Sequence, residues 1–170
     1  MNNIGIKTST VLVLIAVLAF SRLIPHPPNF TPLLGMAVFA GARLDNKLFA
    51  IIAPLTAMFL SDLVIGLHSG MSIIYFAILV NVLFGFYLKN RFSSLQIGGT
   101  LISGAVLFFL ITNFAVWYGS GFYSKDLAGL ISCYTMGLPF CQNTLISSII
   151  YGFGAFYLFE FLETRYLNKV

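Results

Sequence analysis

The chain has 170 residues, 59% of them hydrophobic and 8% charged, with a formal net charge of +4. A soluble domain carries about 25% charged residues, so this composition cannot cover a water-facing surface and points to an integral membrane protein. No Lys/Arg cluster exceeds two nearby residues, which argues against nucleic-acid binding, and the strand-like alternation of an outer-membrane barrel is absent.

A spanning helix takes about 20 residues, so six spans and their loops fill the chain as one integral membrane domain. The predicted spans are 9–24, 33–44, 48–67, 71–88, 97–118 and 142–162. The first follows a short polar lead with Lys7. No A-x-A cleavage site comes after it, so it reads as a retained span rather than a signal peptide. Next come Pro25, His26, Pro27, Pro28, Asn29, Phe30, Thr31 and Pro32. Four prolines in eight residues cannot continue a helix, so this stretch is an extended, rigid cap between two membrane segments. The second segment is short and rich in small residues, and reads as a tilted or partial span. Ala37 and Gly41 are four apart, as are Ala53 and Ala57 in the third span, a spacing that lets membrane helices approach closely. Pro54 is expected to kink the third span. Residues 119–141 read as the longest connection, with a short interfacial helix near 126–134.

With six spans, Lys7, Arg43, Lys47, Lys89, Arg91, Arg165 and Lys169 fall on one side, and only Arg22 and Lys125 on the other. Positive loops stay cytoplasmic. Both termini are therefore expected inside, with the proline cap, the His68 turn and the 119–141 connection outside.

Asp62 is the leading polar candidate, because a carboxylate within a span marks a function or a specific partner. Arg22 lies on the same side, and an Arg22–Asp62 ion pair joining the first and third helices is the structural reading. Asn143, Ser147 and Tyr151 recur at i, i+4 and i+8 and share one face of the sixth span. Asn113 and Trp117 share a face of the fifth, and Asn81 sits mid-way along the fourth. Converging amides and aromatics suit a small polar or heteroaromatic solute; taken singly, each also reads as hydrogen bonding between helices. His26 and His68 lack the i, i+4 spacing of a helical metal pair, so no metal is expected. Cys133 and Cys141 fall in the predicted outer connection. A disulfide closing a short loop is one reading there and two free thiols the other. No P-loop, H-E-x-x-H or G-x-S-x-G is present, so neither ATP binding by a P-loop nor enzymatic activity is expected, and no cofactor.

Residues 22–44, RLIPHPPNFTPLLGMAVFAGARL, resemble a family of small uncharacterised bacterial membrane proteins, and the APLTAMFLSDLVIGLHSG run fits the same family. Asn29, Phe30, Thr31, Pro32, Ser61, Asp62 and Leu63 also resemble positions in the substrate-binding (S) components of energy-coupling factor transporters. That resemblance covers residues 20–90. It implies a compact six-helix bundle in the bacterial inner membrane. It also implies a small solute bound in the outward half, and docking onto a coupling protein with two ATPases. The expected solute-lining residues are Asn29, Asp62, Asn81, Asn113, Trp117, Asn143 and Tyr151. The alternative is a non-transporting scaffold subunit that acts through helix–helix contacts along its small-residue stripes.

Overall fold

A computed structural model describes residues 3–89 and 93–166. Arg91 and Lys169, which enter the charge asymmetry, lie outside the described residues. The described chain is all helical: α1 (Asn3–Phe20), a 3-10 turn (Ser21–Leu23), α2 (Leu33–Arg43), α3 (Lys47–Ile65), α4 (Met71–Leu88), α5 (Ser94–Gly119) and α6 (Leu127–Arg165). Five of these segments are long and apolar enough to cross a membrane, and α2 is the short sixth. The molecule is a helical bundle of multi-pass membrane type.

Local chemistry sets the breaks. Ile24 is extended (φ −81°, ψ 138°), as the residue before a proline tends to be. Pro32 precedes the first turn of α2, where an absent N–H costs nothing. Asn46 caps α3 by accepting from the N–H groups of Leu48 (2.9 Å) and Phe49 (3.3 Å). Ser93 and Gln96 close a capping box on α5.

Helix α2 is the hub. It touches every other helix, and every residue from Leu33 to Ala42 is buried, as expected of a helix apolar on all sides. Eleven residues rise only about 16 Å, roughly half of a ~30 Å hydrocarbon core. Helices α2, α4 and α6 run parallel. Gly35 meets Gly152, Phe39 meets Phe156 and Phe159, and Gly41 meets Gly85. A Cβ at Gly41 would lie 2.2 Å from the Val82 carbonyl oxygen, and one at Gly85 2.2 Å from that of Val38. The Ala37/Gly41 stripe is thus consumed inside the bundle.

The two ends differ. Lys7, Arg43 and Glu163 meet at one end (Lys7 Nζ–Glu163 2.7 Å, Arg43–Glu163 3.9 Å), where Lys89 also pairs with Asp45 at 2.9 Å. This is the basic end. The opposite, capped end carries residues 24–32 and the turns at 66–70 and 120–126.

The expected 119–141 connection is corrected to a seven-residue turn. Helix α6 begins at Leu127 and runs unbroken for 39 residues through Pro139. The predicted interfacial helix and sixth span are one element. Asp126 starts it by accepting from Gly129 N–H (2.8 Å). Packing on antiparallel α5 holds the proline-containing region helical: Tyr134 donates its hydroxyl to Leu110 O (2.7 Å), and Gly137 sits against Phe109 and Asn113.

Candidate functional site: a cavity at the capped end

Because α2 stops at mid-height, the proline cap crosses the space above its first turn. The cap is tied to α6. Asn143 Nδ2 donates to Pro28 O (2.9 Å), Ser147 Oγ lies 3.5 Å from Asn29 O, and the Phe30 and Tyr151 rings meet edge to face at 5.9 Å. The i, i+4, i+8 face of α6 therefore binds the protein's own loop.

Above the cap lies a cavity of ≈ 440 Å³. Asn29 and Ile74 border its lower part. Phe108, Thr112, Asn113 and Val116 form the α5 wall; Cys133, Met136, Gly137 and Phe140 form the α6 wall; Tyr123 comes from the turn between them. No charged side chain lines it. The Thr112 hydroxyl and one N–H of the Asn113 amide donate to their own helix, to Phe108 O and Phe109 O (both 2.9 Å). Among the described residues, no hydrogen bond engages the Asn29 amide or the Tyr123 hydroxyl. The walls thus offer aromatic faces, a thioether and a few hydrogen-bonding groups. That chemistry suits an uncharged flat solute.

Asn29 is the one described non-glycine residue with positive φ, at 61°. Asn tolerates this left-handed conformation better than most residues. It lets the chain turn sharply over α2, and Phe30 N–H closes the turn on Pro27 O (3.0 Å).

Of the seven residues expected around a solute, the structure brings Asn29 and Asn113 to this cavity. Asp62 is 0% exposed and paired with Arg22 (Nη1–Oδ1 2.5 Å). Arg22 also reaches Ser61 Oγ at 2.7 Å, and Tyr75 donates to Asp62 Oδ2 at 2.8 Å. This knot joins the end of α1 to α3 and α4. Asn81 is buried between α4 and α5. Its Nδ2 donates to Ala77 O (2.9 Å), and its Oδ1 occupies the place a Cβ on Gly104 would need. Trp117 staples the α5–α6 turn: its Nε1–H donates to Ser124 O (2.9 Å), and Lys125 bonds its carbonyl and lies over its ring. Asn143 and Tyr151 hold the cap.

The disulfide reading of Cys133 and Cys141 is corrected: both are free. Eight residues apart on one helix, they are separated by about 12 Å of axial rise, beyond disulfide reach. Cys133 instead lines the cavity, its S–H directed at Asn113 O (3.4 Å). His26 and His68 are exposed. No cluster of three His, Cys, Asp or Glu side chains occurs among the described residues.

Phe108, Thr112, Met136 and Phe140 went unnoticed in the sequence, although a signal existed. Cys133, Met136, Gly137 and Phe140 recur at i, i+3, i+4 and i+7, one helical face. The sequence predicts a helix there only near 126–134, so the face that continues through Met136, Gly137 and Phe140 does not show in it.

A second depression, ≈ 290 Å³, lies between α1 and α3. It is walled mainly by apolar groups, among them Ala16, Ala19, Ala53 and Ala57.

No curated protein and no solved structure matches the chain. Residues 2–169 match the model of a family described as "Family of unknown function (DUF6580)", and the chain belongs to that family.

Proposed function

We propose that this protein is a solute-binding membrane transport protein with the architecture of an energy-coupling factor S component, resident in the bacterial cytoplasmic membrane. The observation that carries the reading is the uncharged, aromatic-walled cavity at the capped end. Arg22 and Lys125 are the basic residues of that end, while Lys7, Arg43, Lys47, Lys89 and Arg165 gather at the other. The positive-inside rule then puts both termini in the cytoplasm and turns the cavity outward. A small neutral heteroaromatic solute enters from outside and rests on the proline cap. A coupling protein with two ATPases, or an alternating motion of the chain alone, completes uptake.

A thermal-shift screen of neutral heteroaromatic compounds on the purified protein tests this. A compound at a hundredfold excess over its Kd stabilises by about 2.7 kcal/mol. Phe108→Ala is expected to abolish that shift. A screen with no hit, or hits indifferent to Phe108→Ala, would count against a solute site here.

The scaffold reading has its own observation, the small-residue groove between α1 and α3. It predicts that Ala53→Leu disrupts function while Phe108→Ala and Asn113→Ala leave it intact.

A further inference from the structure

Beneath Asn29 lies a second, smaller chamber of ≈ 80 Å³. Asn29, Ile74 and Phe108 line both chambers, so they form the partition between them. The lower chamber differs in kind. Its polar lining is Arg22, Asn29, Thr31 and Thr144, set among apolar groups of α2, α3 and α4.

The hydrogen-bond inventory there is incomplete. Arg22 commits Nη1 to Ser61 and Asp62, while no bond engages Nη2 or Nε among the described residues. Nor does one engage the Thr31 hydroxyl or the Asn29 amide. Thr144 donates to Phe140 O (2.8 Å) and keeps its acceptor lone pairs. The chamber thus offers donors at the guanidinium and acceptors at the threonine hydroxyls, with room for one small group. The Arg22 charge is already balanced by Asp62, which is 0% exposed. A carboxylate placed here would leave an excess buried negative charge, which is costly. A neutral carboxamide meets both needs, its C=O accepting from Arg22 and its NH₂ donating to Thr144 or Thr31.

We infer that the two chambers form one bipartite site: a flat uncharged ring system occupies the upper chamber, and a neutral carboxamide arm passes Asn29 to end on Arg22 in the lower. This assignment of ligand class rests on the transport reading above. Asn29 is the positioning residue, because its left-handed backbone sets it on the partition.

Three probes with one ring test it on the full-length chain in lipid nanodiscs: 3-methylindole, indole-3-acetamide and indole-3-acetate. The amide is expected to bind about tenfold more tightly than 3-methylindole, the effect of one hydrogen bond to a charged group, and more tightly than the acid. Thr144→Val, close to isosteric, and Arg22→Gln are each expected to lower the amide-to-methylindole affinity ratio. If Arg22→Gln does not fold, Thr144→Val carries the test alone. Equal binding of amide and 3-methylindole would overturn the bipartite site while leaving the upper cavity as a solute site. Tighter binding of the acid would overturn the neutral arm. Failure of all three probes would overturn the bipartite site, while the solute-binding reading falls only if the wider screen also finds no hit that depends on Phe108.

Discussion

At the basic end, α2 fills the centre of the bundle and glycines bring its backbone against α4 and α6. At the capped end, residues 24–32 take its place and leave two chambers. The contacts differ accordingly. In lipid, apolar burial between helices gains little over contact with lipid tails, so association rests on close packing and hydrogen bonds. The basic half uses close packing, through Gly35 with Gly152 and Gly41 with Gly85. The capped half uses polar bonds, through Arg22, Asp62 and Tyr75 on one side and Asn143 with Pro28 on the other. A packed centre has no room for a ligand; a centre held from its rim by hydrogen bonds does.

The strongest way to break the capped half is to orphan its ion pair. Asp62→Ala is expected to destabilise by about 3–5 kcal/mol, since it leaves the largely buried Arg22 unpaired. Arg22→Ala should act similarly, and the double substitution should cost less than the sum. Additive unfolding energies would show that the pair does not couple the helices.

For the basic half, Gly41→Leu drives a side chain into the Val82 carbonyl and should cost about 3 kcal/mol. Gly154 has nothing within 4 Å of an added Cβ, so Gly154→Leu should change stability by less than about 0.5 kcal/mol. Equal melting shifts for the two would contradict a packing-limited centre.

The smallest effect sharpens the comparison at the start of α6. Asp126 accepts from Gly129 N–H and then from the Ser124 hydroxyl, and both hold its carboxyl below the usual 3.8. A depressed folded pKa means the cap's contribution is present above the usual value and lost as pH falls through the lowered one. Hydrogen-exchange protection factors in the first turn of α6, corrected for the intrinsic exchange rate, should therefore fall on acidification below about pH 4. Asp126→Asn, which caps without titrating, should flatten that dependence. An unchanged profile would show that Asp126 does not hold the turn.

Much of the fold was legible along the chain. Apolar run lengths give α3 and α4, the prolines give the break between α1 and α2, and Asn46, Ser93 and Gln96 mark helix starts. The site was less so. Asn81, Trp117, Asn143 and Tyr151 stand out as polar or aromatic groups in apolar runs, yet each is engaged by a neighbouring helix, turn or loop. Residue type signals that a partner is needed without naming the partner. The α6 wall was hidden because Gly137 and Pro139 look like a loop, and only contact with α5 keeps that stretch helical.

The sequence by itself determined a multi-pass helical membrane protein, a rigid proline break after the first helix and a short second segment, because composition and missing backbone donors act locally. Only the tertiary structure decided that α2 is the hub, that α6 is one long helix and that the space above α2 stays open. Those features depend on which backbones approach at Gly41 and Gly85, and on where Asn143 reaches Pro28, and no local pattern encodes such distances between segments far apart in the chain.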